Sequence, residues 1–342
     1  MALKLAVDGG ARTERWQAID VTRGAAIAAM IVYHFAWDLS FFHLIATSIV
    51  GHPFWQAFAR VIAGSFLTLV GIGLVLAHGQ GLRGWAFLRR LAIIAGAAAG
   101  VTVATWFAFP DSYIFFGILH CIALSSVLAL PFLRVPVWLV GAAALLCFAA
   151  PFVLAGPALD DPALGFLGLG THPPVTNDYV PVFPWFGLVL MGVAVARAAR
   201  PWALRAEWPE WRAKSVLSRA LAWGGRWSLP IYLLHQPVLL GAVFLAAQMA
   251  GPTQVAKSAP FLANCRTSCQ EAGKEESLCR AACVCVVEKL VSEHLWDNAV
   301  ANRFTARDQA RIAPLAETCF KEVEQALHED RSPDITAKET RP

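Results

Sequence analysis

Residues 19–43 decide the fold, and they read IDVTRGAAIAAMIVYHFAWDLSFFH. From Ala25 onward this stretch is almost wholly apolar, and it is long enough to cross a bilayer, which takes about 20 residues. It nevertheless carries His34 and Asp38 in its middle. Because ionisable side chains are costly in hydrocarbon, they are rare there and by default mark a functional site. The stretch therefore predicts a membrane-spanning helix that carries part of a site.

One face of this predicted helix holds the polar residues. The members recur at helical intervals, and they are Asp20, Arg23, Ile27, His34 and Asp38. Arg23 and His34 lie three turns apart, roughly 16 Å at the helical rise per residue. A carboxylate one turn from an imidazole can orient the ring and raise its basicity. We expect His34 to be a general base with Asp38 as its partner; the alternative is a buried polar pair that only joins helices.

The composition is that of an integral membrane protein. The chain has 342 residues, of which 57% are hydrophobic and only 15% are charged. A soluble domain carries about 25% charged residues, so a soluble fold is excluded. The 13 tryptophans are typical of interfacial belts. No phosphate-binding loop, dinucleotide fingerprint or zinc-protease motif is present. Nothing indicates nucleic-acid binding, and we expect no metal cofactor.

Apolar segments of spanning length predict an all-α, polytopic membrane helical bundle of about seven spans. They cover residues 22–46, 58–78, 88–108, 113–133, 136–156, 181–199 and 228–250. Gly64, Gly71 and Gly73 in the second segment, and Gly96 with Gly100 in the third, predict close helix packing. Because residues 1–18 are polar and lead directly into a span, we interpret the first helix as a signal anchor.

The basic residues predict the orientation. Fifteen Lys and Arg residues lie in the N-terminal segment and every second connection, whereas the alternate connections, 47–57, 109–112 and 157–180, have none. The positive-inside rule makes the N-terminus cytoplasmic. An odd number of spans then places the C-terminus outside, so we expect a multi-pass protein of the cell inner membrane with a periplasmic C-terminus. Seven of the basic residues, including Arg226, lie between the sixth and seventh spans; they set topology and contact lipid, or attract a phosphorylated donor.

Six of the eight cysteines follow residue 260 and predict a small disulfide-rich helical domain. Residues i and i+4 share a helix face, so two CxxxC helices joined near Gly273 bridge antiparallel. This predicts Cys265–Cys283 and Cys269–Cys279. Cys285 falls on another face of its helix, where we expect it to bridge to Cys319 on a third amphipathic helix near 306–328. A zinc site on four thiolates is the alternative, but disulfides suit an external domain. We therefore expect a membrane domain over 1–250, a cysteine-rich domain over 256–330 and a disordered tail over 331–342.

Two further histidines lie in predicted spans. His120 is within FGILHCIALSS, and His235 is within SLPIYLLHQPVL. Each alone is more often a packing histidine, and each is also a candidate to bind substrate. These two stretches, PWFGLVLMGV and residues 19–39 resemble the spans of bacterial membrane proteins similar to the catalytic domain of heparan-α-glucosaminide N-acetyltransferase. The spacing of Arg23 to His34 also resembles a first-span motif of the wider transmembrane acyltransferases.

The resemblance implies a function. The expected enzyme moves an acyl group, with acetyl the first choice, from cytoplasmic acyl-CoA to an extracytoplasmic sugar acceptor. Arg23 would match the motif arginine and His34 the catalytic histidine, while Arg226, His120 and His235 would help to bind the donor. The resemblance is also compatible with a homodimer. Two alternatives remain from the residues: a proton-coupled transporter that uses the membrane His and Asp, and an anchor that displays the cysteine-rich domain.

Overall fold

The computed structural model describes residues 16–42, 44–45, 47, 49–79, 81–205, 211–250, 254–300 and 306–330. The predicted tail over 331–342 and the basic residues Lys4, Arg12 and Arg15 lie outside the described residues. Within the described part, all regular structure is helical, which confirms the predicted all-α class.

The described residues form twelve α-helices. The first eight are α1 Gln17–Phe41, α2 Pro53–His78, α3 Gly84–Ala108, α4 Ile118–Leu128, α5 Val137–Val153, α6 Val182–Arg205, α7 Val216–Arg226 and α8 Ser228–Ala250. The last four are α9 Gln254–Glu271, α10 Glu276–Ser292, α11 Trp296–Val300 and α12 Ala306–Asp330.

Each of the seven predicted spans corresponds to an apolar helix. Among the described residues, α1, α2, α3, α6 and α8 are long and apolar enough to cross a membrane. The two others are shorter, with 11 residues in α4 and 17 in α5. At ~1.5 Å per residue α4 covers about half of the hydrocarbon thickness. It ends shortly before Pro131, which lacks a backbone N–H and disfavours helix at the residue before it.

An additional helix, α7, lies within the predicted basic connection. The Ser215 hydroxyl accepts a hydrogen bond from the Ser218 N–H (3.1 Å), which caps its first turn. Val216, Leu217 and Trp223 are exposed on α7. An apolar face beside basic residues is typical of a helix that lies at a membrane surface.

The chain divides into two compact units. The first comprises Met1–Phe35 and Pro53–Leu239, and the second comprises Ala36–His52 and Leu240–Pro342. The core of the first unit lies among α2, α4, α5 and α6, and its fully buried members include Leu67, Val140 and Val189. A smaller cluster of Ile27, Met30 and Ile62, with Tyr232 packed against it, joins α1, α2 and α8, and two of these helices carry the candidate imidazoles.

Glycines account for the close contact of α2 with α6. A side chain at Gly71 would collide with the backbone carbonyl of Val189, and one at Gly192 would collide with that of Thr68. Small residues let helix backbones approach in this way, so the packing predicted for Gly71 is present. The packing predicted for Gly96 and Gly100 is not: no described atom lies within 4 Å of a Cβ built at either position.

The second unit contains the cysteine-rich helices. Disulfides join Cys265 to Cys283, Cys269 to Cys279 and Cys285 to Cys319, which are the pairs that the helical spacing predicts. Between α9 and α10, Gly273 has a φ of 78°, which glycine adopts without steric cost. The disulfide from α10 to α12 lies in a small core with Leu290 and Trp296. The predicted disulfide-rich helical region is thereby confirmed.

Candidate active site

Two of the predicted arginines meet at a buried carboxylate near the start of α1. Asp20 is 2% exposed, and Arg23 lies 3.3 Å from one of its oxygens. The Arg226 Nε lies 3.9 Å from the other. The approach of α7 that brings Arg226 here depends on Gly225 and Gly24, because a side chain on either would collide with the backbone of the facing helix. Asp20 therefore holds both guanidinium groups at one end of α1.

A cavity of about 590 Å³ opens beside these groups. Its cationic lining consists of Arg23, Arg89, Arg90 and Arg226. Trp85 also lines it, and its remaining lining is mostly apolar, with Ile27, Phe66, Leu69, Val70, Ile93, Ile94, Ile118, Leu119, Ile122 and Leu229. Its size is within the usual range for small-molecule sites. The arrangement suits an elongated ligand with an anionic part and an apolar or amide-containing part.

The α3 arginines were not singled out from the sequence as ligands. Arg89 and Arg90 were counted only as determinants of topology, although they lie within the predicted third span, 88–108. Charge inside an apolar segment is the same signal that drew attention to His34. It was available in the sequence for these two residues as well.

His34 and His235 face each other although they are far apart in the chain. Their ring centroids are 5.0 Å apart, with the planes at 65°. The His34 ring also packs edge-on against Tyr33 at 5.5 Å, and the His235 ring lies 5.8 Å from Tyr232. Tyr232 lines the cavity, and His235 follows it by about one turn on α8. The imidazole pair therefore lies just beyond the cavity. Neither imidazole is itself part of the cavity lining.

The hydrogen bonds of His235 define which of its ring nitrogens carries the hydrogen. Its Nδ1 lies 2.7 Å from the Tyr232 carbonyl and 3.2 Å from the Ile231 carbonyl. Carbonyl oxygens only accept, so Nδ1 carries the hydrogen and donates it. The buried Nε2 has no hydrogen-bond partner among the described residues. In the neutral ring this atom has a free lone pair, which is what a proton acceptor requires.

His120 is bonded within the protein through both ring nitrogens. Its Nδ1 accepts from the Gly117 N–H at 3.2 Å. The Thr102 hydroxyl donates to the Ile114 carbonyl at 2.7 Å, so it accepts from His120 Nε2 at 3.1 Å. The predicted role of His120 in donor binding stays a prediction, and these bonds favour a structural role.

Asp38 occupies the predicted position one turn after His34 on α1, and its side chain is fully buried. Asp38 falls in the second compact unit. Its predicted action on the His34 ring stays a prediction.

Asp178 lies in the 157–180 connection and was not predicted from the sequence as a site residue. One carboxylate oxygen accepts the Ile118 N–H at the start of α4, at 2.9 Å. The carboxylate also interacts electrostatically with Tyr33 and Tyr232, the tyrosines that contact the two imidazoles. Burial raises the pKa of Asp178 to about 6, against the opposing effect of the Ile118 N–H. Only the tertiary structure brings this residue within electrostatic range of these two tyrosines.

Comparison with known proteins identifies the family. A model of the heparan-alpha-glucosaminide N-acetyltransferase catalytic family matches residues 15–237, a range that contains both imidazoles, Asp178 and all four cavity arginines. No curated protein and no solved structure matches the chain. The family is one of acetyltransferases, and several helices of the chain are of membrane-spanning type. The chain belongs to the heparan-alpha-glucosaminide N-acetyltransferase catalytic family and is a membrane protein with an acetyltransferase-type function.

Proposed function

We propose that the protein transfers an acetyl group from acetyl-CoA to a sugar acceptor, with the imidazole pair as its catalytic centre. The observation that carries the proposal is the cavity beside α1, which has four arginines in its lining and continues along α8 to Tyr232, one turn before His235. The order from the arginines through the apolar lining to the imidazoles matches the order of the phosphates, the pantetheine arm and the thioester in acetyl-CoA.

The cationic lining suits the phosphates of CoA. Guanidinium groups bind phosphates through paired, charge-assisted hydrogen bonds. Arg23 and Arg226 are positioned by Asp20, while Arg89 and Arg90 approach from α3. The separation of about 16 Å between Arg23 and His34 along α1 corresponds to an extended pantetheine arm. The donor would thus present its thioester towards the imidazoles.

The chemistry is that of a general base. In the proposed step, His34 removes a proton from an acceptor hydroxyl or amine, whose oxygen or nitrogen attacks the thioester carbonyl. The C–S bond breaks, and the CoA sulfur leaves as a thiolate that takes up a proton. His34 makes no hydrogen bond to a described residue, so its ring nitrogens are available for this exchange. The neighbouring His235 Nε2 is a second acceptor for the same proton.

The sides of the membrane follow from charge. The basic connections face the cytoplasm, where acyl-CoA is found, and the 157–180 connection faces outward, where the acceptor arrives. The proposal places the protein in the cell inner membrane with a periplasmic C-terminus.

The experiment compares the full chain in detergent with three variants, with acetyl-CoA as donor and an α-linked glucosaminide as acceptor. We expect His34→Ala to lower kcat by about 10²- to 10⁴-fold, which is the usual contribution of a general base. His235→Ala should lower it as well, since it removes the adjacent lone pair. His172→Ala is the matched control, because this histidine is exposed on the 157–180 connection, and it should keep wild-type turnover.

Undiminished acetyl transfer in His34→Ala would contradict the assignment of the base. Failure of the wild-type chain to form any acetylated product, together with a pH-dependent flux of the sugar across proteoliposomes, would instead support the transporter alternative.

A further inference from the structure

The segment that contains Asp178 is held in a defined position. The Asn177 N–H donates to the Ser112 carbonyl at 3.0 Å, and the Val180 N–H donates to the Phe116 carbonyl at 3.2 Å. The Thr176 hydroxyl donates to the Tyr113 carbonyl at 2.8 Å. Bonds on both sides of Asp178 therefore fix its backbone along the connection that leads into α4.

The two oxygens of the Asp178 carboxylate have different environments. Oδ2 accepts the Ile118 N–H, and it packs so closely over Gly117 that a side chain at that position would collide with it. Oδ1 has no hydrogen-bond partner among the described residues. Capping α4 requires one oxygen only, and a neutral Asn or Ser would provide it. The second oxygen and the charge are thus unused by the fold, although the side chain is half-buried and the removal of a charge from water is costly.

The surroundings of this carboxylate lead to the imidazole pair. Asp178 interacts electrostatically with Tyr33 of α1 and with Tyr232 of α8. Tyr33 immediately precedes His34, and the Tyr232 ring contacts the His235 ring. Tyr33 and His34 lie about three turns past Arg23 on α1. Tyr232 and His235 lie on α8, which follows Arg226, the last residue of α7. All four residues therefore lie beyond the arginines, on the proposed side of the acceptor. Asp178 is therefore placed where an acceptor, rather than the donor, would approach.

We propose that Asp178 binds the acceptor, and that its Oδ1 accepts a hydrogen bond from a hydroxyl or amino group next to the position that is acylated. The inference rests on the proposed function and assigns a specificity-determining residue to its acceptor side. It predicts a preference for acceptors that carry a hydrogen-bond donor beside the reacting group. An acceptor without this donor would leave the Asp178 carboxylate unpaired in the complex.

Asp178→Asn tests this without removing the cap of α4. The amide oxygen still accepts from Ile118, while the amide NH₂ replaces the free acceptor by a donor. With a methyl α-glucosaminide as the probe, we expect the KM for the sugar to rise by about 10- to 100-fold, the value of a hydrogen bond to a charged group. The KM for acetyl-CoA should stay at the wild-type value. Asp111→Asn is the control, since Asp111 is an exposed carboxylate of the 109–112 connection.

Binding measured without turnover separates this inference from the proposed function. The sugar should raise the melting temperature of the wild-type chain in a concentration-dependent way, and Asp178→Asn should need about 10- to 100-fold more sugar for the same shift. Equal sugar dependence in wild type and Asp178→Asn, or no stabilisation of either, would overturn the role of Asp178. Stabilisation without any acetylated product would refute the proposed reaction and leave the binding role supported.

Discussion

Single charged side chains define both ends of the candidate site. At one end, the buried Asp20 holds Arg23 and Arg226 beside the cavity. At the other, Asp178 interacts with the tyrosines next to His34 and His235. A cationic end and an anionic end favour two different ligands, which agrees with a reaction between an anionic donor and a neutral or cationic acceptor.

The arginines should determine affinity for the donor. In Arg23→Gln and Arg226→Gln we expect the KM for acetyl-CoA to rise about tenfold, the value of roughly one charge-assisted hydrogen bond. The KM for the acceptor should stay unchanged. Arg219→Gln is the matched control, because Arg219 is exposed on the same helix as Arg226 and does not line the cavity. Equal KM values for acetyl-CoA in all three variants would contradict donor binding at this end.

Asp178 should make stability depend on pH with a definite sign. Its folded pKa is about 6 and its ordinary value is 3.8, so between these values the folded state binds the extra proton. Stability relative to Asp178→Asn should therefore fall as the pH rises from about 4 to about 6, and stay level above that. Melting temperatures from tryptophan fluorescence would measure this difference.

Asp160 provides the contrasting case in the same connection. Hydrogen bonds from Thr171 hold its pKa below the ordinary value. Its stabilisation relative to Asp160→Asn should be present at neutral pH and be lost as the pH falls below about 4. A slope of the same sign for both carboxylates would contradict the environment described for Asp178.

Between helices, glycine positions with the same chemistry have opposite surroundings. Gly71 of α2 lies against the backbone of α6, whereas Gly96 of α3 has open space around it. Both were expected from sequence to pack closely. A pattern of small residues identifies a helix face that permits close approach, but whether another helix occupies that face depends on how the bundle assembles.

Gly71→Ala and Gly96→Ala form a matched pair. The first should destabilise the protein by about 1–3 kcal/mol, because the new methyl overlaps the Val189 carbonyl and forces the helices apart. The second should be neutral or stabilising by about 0.5–1 kcal/mol, the helical preference of alanine over glycine. Denaturant or thermal unfolding in detergent would measure both. Equal effects would contradict the close α2–α6 contact.

For the chain as a whole, orientation connects the basic connections with the disulfides. Fifteen basic residues predict one cytoplasmic side, and three disulfides require an oxidising one. The two arguments use different residues, and both predict that the C-terminus lies on the external side.

A C-terminal fusion tests this orientation. Alkaline phosphatase, which needs its own disulfides, should be active after residue 342 and inactive after a fusion point in the basic connection near residue 212. The six cysteines after residue 260 should resist alkylation until a reductant is added. Activity of the second fusion alone would reverse the topology and remove the external acceptor from the proposal.

The linear pattern of residues was sufficient for the apolar helices, the disulfide pairs and the Arg23–His34 spacing, because helical periodicity and membrane hydropathy act over short ranges. It did not predict α7. It was also sufficient for the family. The tertiary structure alone brought His235 against His34, added Arg89 and Arg90 to the cavity and placed Asp178 within electrostatic range of two tyrosines. These proximities depend on how each helix is rotated and where it crosses its neighbours, and packing between distant segments sets both.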